Sequence, residues 1–225
     1  MPDLKITSIP ITGYAGKTVP NRFFRQGEAA RTPAAPILAV LFPGLNYTCD
    51  MPLLFYPLKL LLARGAEVLQ VRADYTVPAY RSMPPEERAA WLAADAIAAV
   101  QAARFQGEYA RLVLVGKSIG TIALASLVSL EPQAITIWLT PLLRNPLVTA
   151  AAEQNRAAAL FIAGTADDLY DAVALKRIQS ATQAEAELIE GGDHSLEIEG
   201  DFFASLRSLE RTMRAVDGFL GRQGV

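Results

Sequence analysis

"LVLVGKSIGTIALA", residues 112–125, is an apolar run that breaks at two glycines around a serine and resumes in small apolar residues. Its first half reads as a buried strand and its second as a buried helix. Glycine weakens both kinds of element, so Gly116 and Gly120 need a reason to be there. A sharp strand-to-helix turn supplies it. Such a turn forces its apex residue into unfavourable backbone angles and crowds the positions two before and two after it, where glycine removes the side chains that would collide. Ser118 at the apex is then pushed up out of the sheet. The backbone N–H of Ile119 is left free at the first turn of the helix, at its partially positive end.

The rest of the chain repeats that alternation. Apolar runs at 36–42, 66–74, 111–116, 134–140, 159–164 and 184–191 predict strands, and helical patterns lie near 51–64, 85–106, 118–130, 145–157, 171–181 and 201–220. Strands that are apolar throughout fit a sheet covered on both faces, the parallel case. Strand–helix–strand repetition makes it a right-handed, doubly wound α/β sheet. Ahead of it, "LKITSIPI" and "TVPNRFFRQG" flank a Tyr-Ala-Gly-Lys turn and predict an antiparallel hairpin on one edge. The expectation is a mostly parallel sheet of about eight strands, helices on both faces, and a single domain over residues 1–225.

At 225 residues the chain is long enough for one full α/β core. A hydrophobic fraction of 52% with 20% charged residues excludes general disorder. The net charge of −2, without a dense Lys/Arg cluster, argues against a nucleic-acid partner. No apolar stretch is long enough to span a membrane, and the first residues lack the basic and apolar regions of a secretory leader. The one cysteine, Cys49, has no disulfide or CxxC partner. It reads as a small packed residue in a protein expected in the cytoplasm. No spacing of His and Cys suits a metal.

Ligands of open parallel sheets bind beyond the carboxyl ends of the strands, where Ser118 falls. The pattern G-x-S-x-G arises by chance in roughly one chain in fifteen of this length, so its place between buried strand and buried helix is what makes it a candidate nucleophile elbow. A serine hydroxyl needs a base, and His194 is the sole histidine. It lies in "IEGGDHSLEI" (189–198), just past the last strand. The base in turn needs a carboxylate to hold its tautomer. "ALFIAGTADDLYDA" (159–172) offers Asp167 and Asp168 at the preceding strand end, while Asp171 is placed to cap the next helix.

The elbow "GKSIG", the acid turn "GTADD", the base turn "GGDHS" and "LFPGLNYTCDMPLL" after the third strand together resemble the α/β-hydrolase superfamily, its small lidless bacterial serine hydrolases in particular. The resemblance covers essentially the whole chain. The family's acid turn, commonly Gly-x-x-Asp, selects Asp167 over Asp168. Its loop after the third strand commonly reads His-Gly-x, and here reads Pro43-Gly44-Leu45. That makes Leu45 N–H, with Asn46 as fallback, the second oxyanion donor beside Ile119 N–H.

Only residues 141–158 separate two strands where many members insert a lid, so no cap domain is expected. The open rim then carries Leu45, Asn46, Tyr47, Thr140, Pro141, Leu142 and Tyr170, with Asn46, Tyr47, Thr140 and Tyr170 as candidate substrate contacts. Lys117, less common at its place in the elbow, reads as a structural partner of a carboxylate rather than a contact for a substrate anion. The resemblance implies a cofactor-free serine hydrolase acting on a small neutral ester, with no membrane partner. A thioesterase or acyltransferase with the same triad, or a non-catalytic binding protein on the same fold, are the alternatives. A neutral His194 base predicts that kcat/KM falls as pH drops through roughly 6–7, the ordinary imidazole range.

Overall fold

Six parallel strands, with two antiparallel ones added at one edge, form the eight-stranded sheet of the computed structural model, which describes residues 4–27 and 36–225. Residues 1–3, part of the stretch read for a leader, lie outside them. The strands are β1 (Leu4–Thr7), β2 (Asn21–Gln26), β3 (Ile37–Phe42), β4 (Glu67–Val71), β5 (Arg111–Lys117), β6 (Ile135–Leu139), β7 (Ala159–Gly164) and β8 (Glu185–Ile189). Their order is β1-β2-β4-β3-β5-β6-β7-β8. β2 pairs antiparallel with both β1 and β4, and every pair from β4 to β8 is parallel.

β3, β4 and β7 are buried at every position, because each face of the sheet carries its own helical layer. Leu38, Val40 and Phe42 of β3 point into one core with Leu112, Leu114, Trp138 and Phe161. Ile37, Ala39 and Leu41 point into the other with Val113, Val115, Ile137 and Ile162. The period of two along a strand thus divides one continuous apolar run between two cores. Helices α3 (Pro85–Arg104), α4 (Gly120–Leu127), α5 (Pro146–Gln154) and α6 (Ala172–Ala181) supply the first core, and α1 (Pro52–Ala63) and α7 (Phe202–Arg222) the second. α5 is the one helix between β6 and β7, and no lid interrupts it.

The N-terminal hairpin is shorter than its sequence suggested. β1 ends at Thr7, and residues 8–20 run as a connection held by a Thr12–Thr18 bridge and a single 3-10 turn at Tyr14–Gly16. Pro10 offers no N–H to a ladder. Asn21 replaces the missing strand bonds, accepting from Ile9 N–H and donating to the Ile9 and Val19 carbonyls.

A short helix, α2 (Pro78–Arg81), stands unanticipated after β4. Its segment is clasped by Asp95 of α3, a buried carboxylate that accepts from Trp91 Nε1, Tyr75 Oη and Tyr14 N. Burial raises the Asp95 carboxyl, and these three bonds together with the charge of Lys17 pull it back only in part. Tyr75, Tyr80 and Trp91 form a cluster against which Ile119 packs, so the clasp buttresses the elbow.

Candidate active site

Ser118 has φ +55°, a left-handed conformation costly for a residue with a Cβ. The surrounding hydrogen bonds impose it. Ser118 N–H continues the sheet to Leu139 O at 3.0 Å, and the Ser118 carbonyl accepts from Thr121 N at 2.9 Å and Thr121 Oγ1 at 2.6 Å. A Cβ at Gly116 would stand 2.8 Å from both the Gly120 carbonyl carbon and Leu124 Cγ, and one at Gly120 2.5 Å from Phe42 O. The two glycines therefore allow strand, turn and helix to touch backbone to backbone. Gly120→Ala is expected to destabilise by about 3 kcal/mol, or roughly 6–12 °C in Tm, because its obstacle is a fixed strand carbonyl. Thermal unfolding measures this.

The acid and base turns meet in the same way. β7 and β8 pair through Gly164 and Ile189, and a Cβ at Gly164 would lie 2.5 Å from the Gly192 carbonyl carbon. Ala166 N–H donates to Gly192 O, and Gly191 N–H to Thr165 Oγ1. This contact sets His194 between the other two groups: Nε2 lies 2.8 Å from Ser118 Oγ, and Nδ1 lies 2.7 Å from Asp167 Oδ2. Asp167 Oδ1 accepts from Leu169 N at 2.9 Å, which fixes the carboxylate plane. Burial by itself would raise the Asp167 carboxyl. The bonds from His194 and Leu169 N–H, with the charges of His194 and Lys117, bring it below the ordinary range. The Asp167 side chain is 2% exposed and that of His194 33%, so the chain of groups runs from a buried anion to an accessible imidazole. Asp168 is exposed and stands apart from it, and Asp171 caps α6 through Val173 and Ala174 N–H.

Gly44 and Tyr47 exchange hydrogen bonds, leaving Leu45 and Asn46 exposed at the tip, with Asn46 at φ +57°. Leu45 N–H and Ile119 N–H donate to nothing among the described residues. Tyr47 is buried, its hydroxyl accepting from Leu53 N–H at the start of α1. With Asn46 it lines a cavity of about 310 Å³ that also takes in Gly44 and the loop from Arg72 to Thr76 after β4. Thr140 and Tyr170 lie outside that wall. Thr140 is fully buried at φ +40°, its hydroxyl without a partner among the described residues, and Tyr170 packs on the first core.

The Arg72–Thr76 wall went unread in the sequence, although "RADYT" ends a strand on the ligand side of the sheet. Cys49 is buried, donates to Val71 O, and is pushed up to about 12 by burial, which keeps it a thiol. Among the described residues no three His, Cys, Asp or Glu side chains are grouped to hold a metal ion, and no helix is long and apolar enough to cross a membrane.

Residues 56–219 match the model of the alpha/beta hydrolase domain family. The chain belongs to that family. This α/β hydrolase is similar in fold to XC6422 from Xanthomonas campestris, described as a serine hydrolase without a lid. Identity is 18% over 97% of this chain and 95% of that one, with a TM-score of 0.73. Est1E from Butyrivibrio proteoclasticus, solved with ferulic acid, is 12% identical over 95% and 98% of the two chains, at a TM-score of 0.70. The esterase Pf2001 of Pyrococcus furiosus is 12% identical over 97% and 93%, at 0.69. No curated protein matches the chain.

Proposed function

We propose that this α/β hydrolase is a serine esterase that cleaves small neutral carboxylic esters through an acyl-enzyme, with Ser118, His194 and Asp167 as its triad. One observation carries the reading: an accessible imidazole hydrogen-bonded to a strained serine on one side and a buried carboxylate on the other. With its proton on Nδ1 directed at Asp167, His194 presents the Nε2 lone pair to Ser118 Oγ–H. Ser118 Oγ attacks the ester carbonyl as Nε2 takes its proton. The tetrahedral oxyanion accepts from Ile119 and Leu45 N–H, donors already oriented before charge develops. The C–O bond to the alcohol then breaks, and Nε2–H returns the proton to the leaving oxygen. Water repeats the sequence and releases the acid.

In this reading the cavity lined by Gly44 and Asn46 takes the small substituent of the ester, and structural neighbours described as esterases support ester bonds as the target. Its wall carries the polar side chains of Asn46, Thr48, Arg72, Asp74 and Thr76, which predicts that p-nitrophenyl esters with short acyl chains (acetate to about hexanoate) are turned over best. Decanoate is expected to fall on the order of tenfold or more in kcat/KM, since its added methylenes would lie in water or against these polar groups. A rate series across chain lengths checks this. The same assay with thioesters and lactones, and with alcohols as competing acceptors, separates esterase from thioesterase and acyltransferase.

A further inference from the structure

Asp95 is a buried carboxylate that the mechanism above does not use. It sits in the middle of α3, 3% exposed, and gathers donors from three stretches of chain. Tyr14 N–H reaches Oδ1 at 2.9 Å, while Tyr75 Oη–H and Trp91 Nε1–H both reach Oδ2 at 3.0 Å. The backbone at Gly13 lies against the same carboxylate, where a Cβ would collide with Oδ1. An ionised carboxylate offers acceptors only, so it takes all three donors at once. An apolar side chain would fill this space without the cost of burying a charge, but it would hold none of the three in position.

One of those donors belongs to the substrate cavity, which is walled by residues from two stretches, 43–49 and 72–76. The first is fixed by its own bonds, between Gly44 and Tyr47 and from Leu53 N–H to Tyr47 Oη. It also borders Ser118, since a Cβ on Gly44 would stand 3.3 Å from Ser118 Cβ. The second stretch follows β4 as irregular chain. Its base is tied at Arg72, whose N–H donates to Pro20 O at 2.7 Å and whose guanidinium pairs with Asp50 at 2.6 Å. From Ala73 to Thr76, two kinds of hydrogen bond remain among the described residues. One is a local turn, from Thr76 N–H and Oγ1–H to Asp74 Oδ1, and the other is the Tyr75 hydroxyl on Asp95. Ala73 also packs on the Tyr75, Tyr80 and Trp91 cluster, but apolar contact is non-directional and fixes no position.

We propose that Asp95, acting through the Tyr75 hydroxyl, is a positioning residue that holds the Arg72–Thr76 wall in place and so sets the cavity's selectivity for acyl-chain length. This rests on the esterase reading of the site. With the hydroxyl held, the wall presents its polar side chains to the cavity and covers the aromatic rings behind it. With the bond gone, the wall swings away and a long acyl chain reaches the rings.

Tyr75→Phe tests it by removing the bond and keeping the ring, which still packs on Tyr80 at 5.2 Å between centroids. Ile119 leans on the same cluster and keeps its support, so kcat for p-nitrophenyl acetate is expected within about twofold of wild type. The ratio of kcat/KM for decanoate to that for acetate is expected to rise about threefold or more, carried by KM. Trypsin acting on the folded protein should cut after Arg72 roughly threefold faster or more, as the released wall opens locally. Val216→Ala, a change in the other core, controls for lost stability and should move neither quantity. Asp95→Ala should shift the ratio in the same direction, and adding Tyr75→Phe to it should shift it no further, because both act through one bond. Where Asp95→Ala does not fold, Tyr75→Phe decides alone.

An unchanged ratio in Tyr75→Phe would make the bond a strut and overturn the proposal. So would an unchanged cleavage rate, or an equal change in Val216→Ala. Failure of the esterase reading looks different: wild type would turn over no p-nitrophenyl ester, while cleavage after Arg72 would still show whether Asp95 holds the wall.

Discussion

Ser118→Ala is expected to lower kcat/KM for p-nitrophenyl acetate on the order of 10⁴-fold or more, and to abolish labelling by a fluorophosphonate. The loss is large because in the proposed mechanism Ser118 Oγ is the group that bonds to the carbonyl carbon. The remaining rate would come only from binding and the Leu45 and Ile119 amides. The fold should survive. Ser118 holds its position through main-chain bonds from its N–H to Leu139 and from Thr121 to its carbonyl, none of which involves Oγ. Far-UV circular dichroism and Tm close to wild type would show that chemistry and not folding was lost. Labelling undiminished in the alanine protein would remove Ser118 as nucleophile, and with it the triad.

Asp167→Asn should cost about 10³–10⁴-fold in kcat/KM at neutral pH, although it preserves the shape of the side chain. The carboxylate accepts from Leu169 N–H through one oxygen and faces His194 Nδ1 through the other. With Leu169 N–H still claiming the amide oxygen, the amide nitrogen turns toward the ring and donates to Nδ1. The imidazole proton then moves to Nε2, and the lone pair that should face Ser118 Oγ is lost. Asp168→Asn is the matched control: the neighbouring carboxylate is exposed and touches neither His194 nor Ser118, so its rate should stay within about threefold of wild type. Comparable losses in both variants would mean that a general electrostatic effect, and not the tautomer, is at work.

The sequence alone determined the features that depend on a few adjacent residues or on a simple period. Strand runs such as "ILAVLF" and "ALFIAG" announce a sheet covered on both faces, because only there can every side chain of a strand be apolar. Gly116 and Gly120 announce a tight elbow, because their spacing is set by the turn itself. A single histidine left one candidate for the proposed base. The first strand was read too long because tolerance of Pro10 in an edge hairpin depends on which N–H groups the neighbouring strand needs.

Other features belong to the tertiary structure. Before the folded chain is seen, Asp167 and Asp168 differ only by their place in a family pattern. The contact of Gly164 with Gly192 aims one at His194 and leaves the other in water. The cavity wall from Arg72 to Thr76, the Asp95 clasp and the burial of Lys117 under Gly44 join segments about 20 to 81 residues apart, and nothing in their local composition marks the partner. Period and turn chemistry are short-range and can be read along a chain. The direction of a side chain at a strand end is set by loops that meet only after the sheet has formed.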